Sequence, residues 1–471
     1  MISSFALGPL TNREPHYQNQ HTLITDEYGR LRFAAISRRV LALPPEVLAE
    51  IFLHCLPDDE FIKPDIISSP LVLCGICHHF REIVLSTPGL WSSLSFETES
   101  APDAESIELV RSWLARARRV PLSLRFHNSN GDWESASAQS ILQIIVSLFP
   151  QWRNIELDLT LSLGQIIFPL GREFPLLEKL AFITCGEHGP KFMASLYIDA
   201  PKLRQISARI YHIVSLHIPW DQITVYRMTC SNFRTCIQIL PYLLNLVNGT
   251  FEVDRYNSPT EPISVPPLLR LQSLTVVGSG RSVPMHILDY FTAPALKTLT
   301  LRFPHYRPMV ASETAPLISF ASRSSFQLHT MSLSLVLTAD AVVQCLEALP
   351  SLAHLKIMIE PLRADYMSAV FRQLTGIGEF LPKLESLHAI LTNLSPFESQ
   401  PQPIGVGVLT ELLHWRRTSA GITQLKSFQL VYDCNTLFDR AVDSDLEEFR
   451  PFSAEGMQLY VGPLRPSIDD Y

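Results

Sequence analysis

A short pattern that recurs along most of the chain constrains its fold more strongly than any other sequence feature. In each copy a large apolar residue stands two residues after a proline and another stands five residues after it, and apolar residues then alternate with polar ones. The proline-led copies begin at Pro150, Pro175, Pro201, Pro241, Pro294, Pro350 and Pro382. Copies without the proline occur at Trp220, Leu271, Leu328 and Leu425. Such recurrence predicts an array of similar structural units.

The alternating runs predict short strands, because alternation places every second side chain on one buried face. Leu299, Leu301 and Phe303 form one such run, and helix-like stretches such as residues 339–349 lie between runs. Strand and helix in regular succession predict an α/β solenoid with parallel strands on one face and helices on the other. The spacing overlaps the period of about 20–29 residues of leucine-rich repeats. An ordinary α/β domain whose strands are similar by chance is the alternative.

The composition is consistent with a large buried core. Hydrophobic residues make up 46% of the chain and charged residues 18%, less than the charged fraction of about 25% that is typical of globular proteins. The formal charge of -8 argues against a nucleic-acid partner and against binding to an anionic membrane. We find no secretory signal and no membrane-spanning stretch, and the eight cysteines show no disulfide spacing. These features predict an intracellular protein, cytoplasmic or nuclear, with reduced thiols.

The region before the repeats predicts a small helical unit that follows a flexible N-terminal segment, residues 1–40. Residues 41–56 predict an amphipathic helix with Pro45 in its first turn, where the missing N–H of proline does no harm. A loop over residues 58–69 and a second helix over residues 70–85 follow. Because a unit of this size buries little apolar surface by itself, we expect a partner to cover part of it.

No motif in the chain indicates a catalytic, cofactor or metal site. The run Cys74-Gly-Ile-Cys77-His-His79 resembles half of a zinc site, but no second pair of ligands follows at a suitable spacing. Gly278-Ser-Gly280 lacks the third glycine and the Lys-Ser/Thr of phosphate-binding loops. We therefore predict no cofactor, no metal and no enzymatic activity. A hydrolase built on the repeats would require a cluster of acid, base and nucleophile that spacing alone does not indicate.

Three segments near the N-terminus carry a resemblance to a known family. Residues 43–52, with Leu-Pro-Pro-Glu-Val-Leu and then Ile-Phe, resemble the first helix of the F-box. Residues 69–81 are similar to its second helix, with Phe80 where the family often has tryptophan, and residues 87–91, Thr-Pro-Gly-Leu-Trp, resemble its closing segment. The resemblance covers residues 41–96. With its degenerate proline-led repeats, the chain is similar to the large F-box families of mushroom-forming fungi.

The resemblance implies a substrate-recognition subunit of a Skp–cullin–F-box ubiquitin ligase. The F-box would dock on the Skp adaptor and through it on cullin, and a leucine-rich-repeat-like solenoid at residues 97–435 would hold a target protein. Residues 436–471 would form a C-terminal tail. Such a receptor raises the local concentration of the target and performs no covalent chemistry. The alternative is an F-box scaffold that binds the adaptor outside any ubiquitin ligase.

The resemblance also implies where the adaptor binds, on the two F-box helices and the closing tryptophan. The expected adaptor-binding residues are Leu43, Pro44, Pro45, Glu46, Leu48, Ile51, Phe52, Leu71, Val72, Cys77, Phe80 and Trp91.

The target is expected on the strand side chains that point away from the core, because stacked repeats align them on one continuous surface. The residues that we predict to bind it are Asp158, Thr300, Arg302, Val336, Met358, Glu360, His388 and Ile390. The apolar members Val336, Met358 and Ile390 stand out on an otherwise polar face and suggest a contact patch. The alternative is that these residues merely form a solvated face of the sheet.

Overall fold

The computed structural model of the chain describes most residues between 40 and 463. The described ranges are 40–98, 101–128, 135–159, 167–169, 171–184, 195–210, 215–230, 233–253, 264–278, 284–303, 311–335, 338–359, 370–375, 380–391, 406–419, 421–432 and 449–463. They divide into two compact units. The helical unit contains residues 40–57 and 65–90, and the sheet unit contains residues 58–64 and 91–463.

The helical unit contains three α-helices. These are α1 (Pro45–His54), α2 (Leu71–Ile76) and α3 (His78–Ser86). Pro45 opens α1 and Glu46 lies in its first turn, where a carboxylate favours the positive end of the helix. The single helix that the sequence predicted over residues 70–85 is divided in two. Cys77 is extended there, and its Sγ accepts a hydrogen bond from the backbone N–H of Phe80 at 3.4 Å, which caps α3.

The sheet unit is built on one parallel sheet of fourteen strands in the order β1-β2-β3-β4-β6-β8-β9-β10-β11-β12-β13-β14-β15-β16. The strands are β1 (Ser93–Thr98), β2 (Leu122–Asn128), β3 (Trp152–Leu159), β4 (Lys179–Thr184), β5 (Ser195–Tyr197), β6 (Gln205–Ile210), β7 (Ser215–His217), β8 (Val225–Cys230), β9 (Asn248–Val253), β10 (Ser273–Gly278), β11 (Thr298–Phe303), β12 (Thr330–Leu335), β13 (His354–Ile359), β14 (Ser386–Leu391), β15 (Ser427–Tyr432) and β16 (Gln458–Pro463). Strands β5 and β7 form a separate pair. The predicted α/β class with a parallel sheet is confirmed, and the sheet is open, with β1 and β16 at its edges.

The recurring proline forms a turn that leads into each strand. In the copy before β11, the backbone N–H of Leu296 donates to the carbonyl of Ala293 at 3.2 Å, with Pro294 between them. The fixed φ of proline suits the second position of such a turn, and the turn directs the next apolar side chain into the core. The same bond closes the turns at Leu177, Leu203, Leu243, Leu352 and Leu384.

A second set of backbone bonds aligns neighbouring repeats just before their strands begin. The N–H groups of Lys297 and Thr298 both donate to the carbonyl of Gln272, at 2.8 and 2.9 Å. Those of His329 and Thr330 donate in the same way to Lys297, at 2.9 and 3.0 Å. Because the bond pair recurs between most adjacent repeats, the strands start level with one another and their side chains form rows across the sheet.

The inward face of the sheet is the hydrophobic core. Leu180, Leu299, Leu333 and Leu355 are each 2% exposed or less, which confirms the prediction that they lie inside one core. Leu180, Leu299 and Leu355 are each followed by a partly exposed residue, as expected of strands with a single buried face, whereas Ser334 after Leu333 is buried.

Helices cover the inward face between strands, as the aromatic contacts illustrate. The ring of Phe371, in the helical residues 370–374, lies 6.4 Å from that of Phe428 on β15. Helices of the sheet unit include α4 (Ala104–Ala117), α5 (Ala136–Ser147), α6 (Phe233–Ile239), α7 (Ala315–Ser324), α8 (Ala339–Glu347) and α9 (Val406–Thr418). None of the helices in the described ranges has the length and apolar character that a membrane span would need.

The boundaries of the sheet unit differ from those predicted. Strand β1 begins at Ser93, so residues 93–96 belong to the sheet although the F-box resemblance extended over them. Residues 58–64, predicted as a loop of the helical region, also belong to the sheet unit. Strand β16 lies in the predicted tail 436–471, and its backbone continues the parallel ladder from β15.

Candidate binding surfaces

The helical unit exposes apolar side chains that a small unit cannot bury by itself. On α1, Val47 is 44% and Ile51 is 42% exposed. Ile66 and Ile67, in the segment before α2, are 81% and 78% exposed, and Ile76 at the end of α2 is 58% exposed. A short unit that exposes this many apolar side chains is typical of a protein–protein contact surface.

Three of the residues predicted to bind an adaptor lie in the protein's own interior. Leu48 and Phe52, on an adjacent side of α1, are 0% and 3% exposed and hold the helical unit together. Trp91 belongs to the core of the sheet unit, where its ring lies 4.8 Å from Trp113 and beneath the guanidinium of Arg116. These three side chains cannot form a contact surface in the folded protein, so the prediction is corrected for them.

The other predicted adaptor residues keep some exposure. Pro44, Pro45, Glu46 and Ile51 are exposed, and Leu43, Leu71, Val72, Cys77 and Phe80 are half-buried. The Phe80 ring packs edge-on against Phe52 at 4.8 Å, so the aromatic at this position links α3 to the buried face of α1.

The outward face of the sheet consists of the strand positions that alternate with the buried inward ones. One row across β8–β14 consists of Arg227, Thr250, Thr275, Thr300, Ser332, Lys356 and His388. The adjacent row on β11–β14 consists of Arg302, Ser334, Met358 and Ile390. The structure therefore brings five of the predicted target-binding residues together on one face: Thr300, Arg302, Met358, His388 and Ile390.

The predicted apolar contact patch is not exposed in the form that the sequence suggested. Ile390 is only 6% exposed, because it lies beside Val431 of the next strand, itself 8% exposed, and the two side chains shield each other. Met358 is half-buried and accepts a hydrogen bond from the Ser334 hydroxyl at 3.5 Å. Val336 and Glu360 lie outside the described residues. Asp158 is in β3, paired with Ile183, and its side chain also lies outside the described part.

The segment of residues 58–64, which we call the anchor segment, covers the outward face at its β1 end. The backbone N–H of Ser95 on β1 donates to the carbonyl of Ile62 at 2.7 Å, and the Ser93 hydroxyl donates to that of Glu60 at 2.8 Å. Phe61 is 7% exposed, and its ring centre lies 4.5 Å from the Arg125 guanidinium. The anchor segment thus occupies the backbone edge of β1 and buries an aromatic ring on the outward face.

Ion pairs satisfy most charged groups at this end of the face. Lys63 of the anchor segment donates to Glu97 at 2.8 Å. Lys179 on β4 donates to Glu60 at 2.7 Å. The third pair is internal to the sheet, where Arg125 donates to Glu156 at 3.0 Å.

Glu156 is the most enclosed acid of this group. Its Oε1 lies 2.9 Å from Nε2 of His127, and its Oε2 accepts the bond from Arg125. Burial by itself would raise the pKa of Glu156, but the hydrogen bonds from His127 and Arg125 outweigh burial and lower it below the ordinary value of 4.5. The carboxylate is therefore held in its charged form by partners from the same chain.

From β8 to β14, the outward face differs from its β1 end in how its charges are paired. Arg227 and Arg302 are exposed and Lys356 is half-buried, and none of them has an ion-pair partner among the described residues. Sequence reasoning placed Arg302 among the target-binding residues but missed Arg227. The sequence copies did not indicate it, because Arg227 stands seven residues after Trp220, whereas Lys356 stands four residues after Leu352.

Comparison with known proteins adds no relative to these observations, since neither a protein-family model nor a curated protein sequence matches the chain.

Proposed function

We propose that the helical unit is an F-box that docks on the Skp adaptor, and that the sheet unit holds a target protein for a Skp–cullin–F-box ubiquitin ligase. The observation that supports this proposal is the exposure of Val47 and Ile51 on a helix whose adjacent side, with Leu48 and Phe52, is buried in the unit's own core. The sequence resemblance falls on this same unit over residues 43–52, 69–81 and 87–90.

The decisive experiment is co-purification of the full-length chain with the Skp adaptor. Replacement of Ile51 by Asp places a charge in the proposed apolar contact, where it loses water without gaining a partner. We expect adaptor recovery to fall at least about tenfold. The matched control is His54→Asp, which adds the same residue to the same helix at a side chain that is 81% exposed.

Cullin recovery distinguishes the ligase from the alternative scaffold. Adaptor and cullin together in the purified complex support the ligase, whereas adaptor without cullin supports an F-box scaffold that acts elsewhere. Wild-type recovery of the adaptor by the Ile51→Asp variant would contradict the F-box assignment itself. Ile51 is already 42% exposed, so unchanged circular dichroism should accompany either result.

A further inference from the structure

We propose that the outward face of β8–β14 binds an extended anionic segment of the target protein, recognised through its carboxylate or phosphate groups. This inference rests on the proposed function, because it names the chemistry that the sheet unit would recognise in a target.

The charges on this surface are unbalanced. Arg227, Arg302 and Lys356 occupy outward positions and have no ion-pair partner among the described residues. Glu252 is the one acidic residue at an outward position of these described strands, and its Oε2 accepts a bond from the Thr229 hydroxyl at 3.0 Å. A surface of net positive charge favours an anionic partner, even on a chain of formal charge -8.

The spacing of the cations suits an extended segment. Arg227 and Lys356 lie in the same row, five strands apart, and neighbouring strands are about 4.8 Å apart, which separates the two residues by about 24 Å. Arg302 lies between them in the adjacent row. A distance of about 24 Å is spanned by roughly seven residues in extended conformation. One such segment could therefore contact all three cations.

Side chains with hydroxyl groups occupy the row between Arg227 and Lys356. The residues between Arg227 and Lys356 in this row are Thr250, Thr275, Thr300 and Ser332. All four are half-buried, and a hydroxyl can donate to a carboxylate or phosphate oxygen. Cations at the ends and O–H donors between them form a surface that can bind anionic groups at several points along a peptide.

A peptide fits this surface better than a single-stranded nucleic acid does. Nucleic-acid sites combine a continuous basic track with aromatic side chains on which bases stack. Among the described strands β8–β14, no Phe, Tyr or Trp occupies an outward position, and the cations are separated by several strands. The surface offers scattered charges and hydrogen-bond donors, which is the pattern expected for acidic side chains along a peptide.

The test is fluorescence anisotropy with the full-length chain and labelled peptides of twelve residues. The first peptide alternates Glu with Ser. The second alternates Gln with phosphoserine, and the third alternates Gln with Ser. We expect both anionic peptides to bind more tightly than the neutral one. The triple variant R227Q/R302Q/K356Q should bind them at least about tenfold more weakly. Tighter binding of the phosphorylated peptide would assign the anion to phosphate, and tighter binding of the Glu peptide to carboxylates.

The matched control is K63Q/R153Q/K179Q, which removes the same charge from cations that are already paired with Glu97, Glu178 and Glu60. It should retain affinity within about twofold of wild type, because its cations are already neutralised. The proposal is overturned if the neutral peptide binds as well as the anionic ones, if the control loses as much affinity as the triple variant, or if a twelve-residue oligothymidylate binds more tightly than either anionic peptide.

Adaptor binding is measured on the same samples, so the two proposals fail separately. Loss of anionic-peptide binding with intact adaptor recovery counts against this inference alone. Peptide binding without adaptor recovery by the wild-type chain counts against the proposed function alone.

Discussion

At the β1 end of the outward face, charged side chains are paired with one another or with the anchor segment, whereas from β8 to β14 the cations have no anionic partner among the described residues. The first end holds Glu156 between Arg125 and His127 and buries Phe61 beside them. The second end presents Arg227 and similar cations to solvent. The same strand-and-turn unit thus produces charges paired within the chain at one end and, on β8–β14, cations without an ion-pair partner among the described residues.

If the two regions share one kind of core, truncation of a buried leucine should destabilise the protein equally in both, and these are the largest effects that we expect. Leu180→Ala on β4 and Leu299→Ala on β11 each remove a side chain that is 1% exposed or less. Each variant should lower the free energy of unfolding by about 2–5 kcal/mol, measured by urea denaturation. A loss below about 1 kcal/mol at only one of the two sites would show that the ends differ in their cores as well.

Phe61→Ala tests whether the anchor segment belongs to the folded sheet. The ring is 7% exposed against Arg125, so its removal should cost about 3 kcal/mol, at the lower end for a buried aromatic because it lies at the sheet edge. Val277→Ala, at a half-buried outward position of β10, is the control and should cost less than about 1 kcal/mol. Equal losses in the two variants would remove the distinction between the covered and uncovered ends.

Glu156→Gln tests the charge pairing by its pH dependence. Because the pKa of Glu156 is lowered on folding, its contribution to stability is present above about pH 4.5 and is lost as the pH falls through the folded-state pKa. The variant should be about 1–2 kcal/mol less stable at pH 7, and the difference should shrink towards pH 3. Glu252→Gln, which keeps an oxygen able to accept its one hydroxyl bond, should show a smaller difference at pH 7. A pH-independent loss would attribute the effect to packing.

The smallest effect on stability is expected for the triple variant R227Q/R302Q/K356Q. Since these cations have no ion pair to lose among the described residues, the free energy of unfolding should change by less than about 0.5 kcal/mol. The measurement is urea denaturation beside the paired-cation control K63Q/R153Q/K179Q, which should be the less stable of the two. A loss above about 1.5 kcal/mol in the first variant would mean that these residues serve the fold.

The features that sequence predicted are those fixed within one repeat. The proline sets the turn, the leucine two residues later enters the core, and the alternation after it sets the buried face of a strand such as β11. Strand β16 was missed because no proline or leucine stands at the expected places before Leu459. The start of strand β1 was included in the F-box resemblance because the preceding Pro-x-Leu-Trp is similar to the closing segment of that family. The same local pattern also precedes a strand of the sheet.

The features that sequence missed depend on contacts between distant residues. Nothing near Phe61 indicates that its ring contacts Arg125, and only the folded sheet brings Ile390 beside Val431. The division of the predicted helix at Cys77 depends on one extended residue, which hydrophobic spacing does not register. For the candidate binding surface, the register was predictable from the repeats on β10 to β14 but not on β8 and β9, and the pairing state of each charge was not predictable.

The position of the anchor segment in the sequence has a consequence for synthesis on the ribosome. Residues 58–64 emerge before Ser93, so β1 finds a backbone partner for its outer edge as soon as it is made, before β2 exists. Each later strand then meets a finished neighbour to pair with, and the array can grow in the direction of translation. The unpaired edge of the nascent sheet is at every stage the newest strand, which limits how long any one edge is open to another chain.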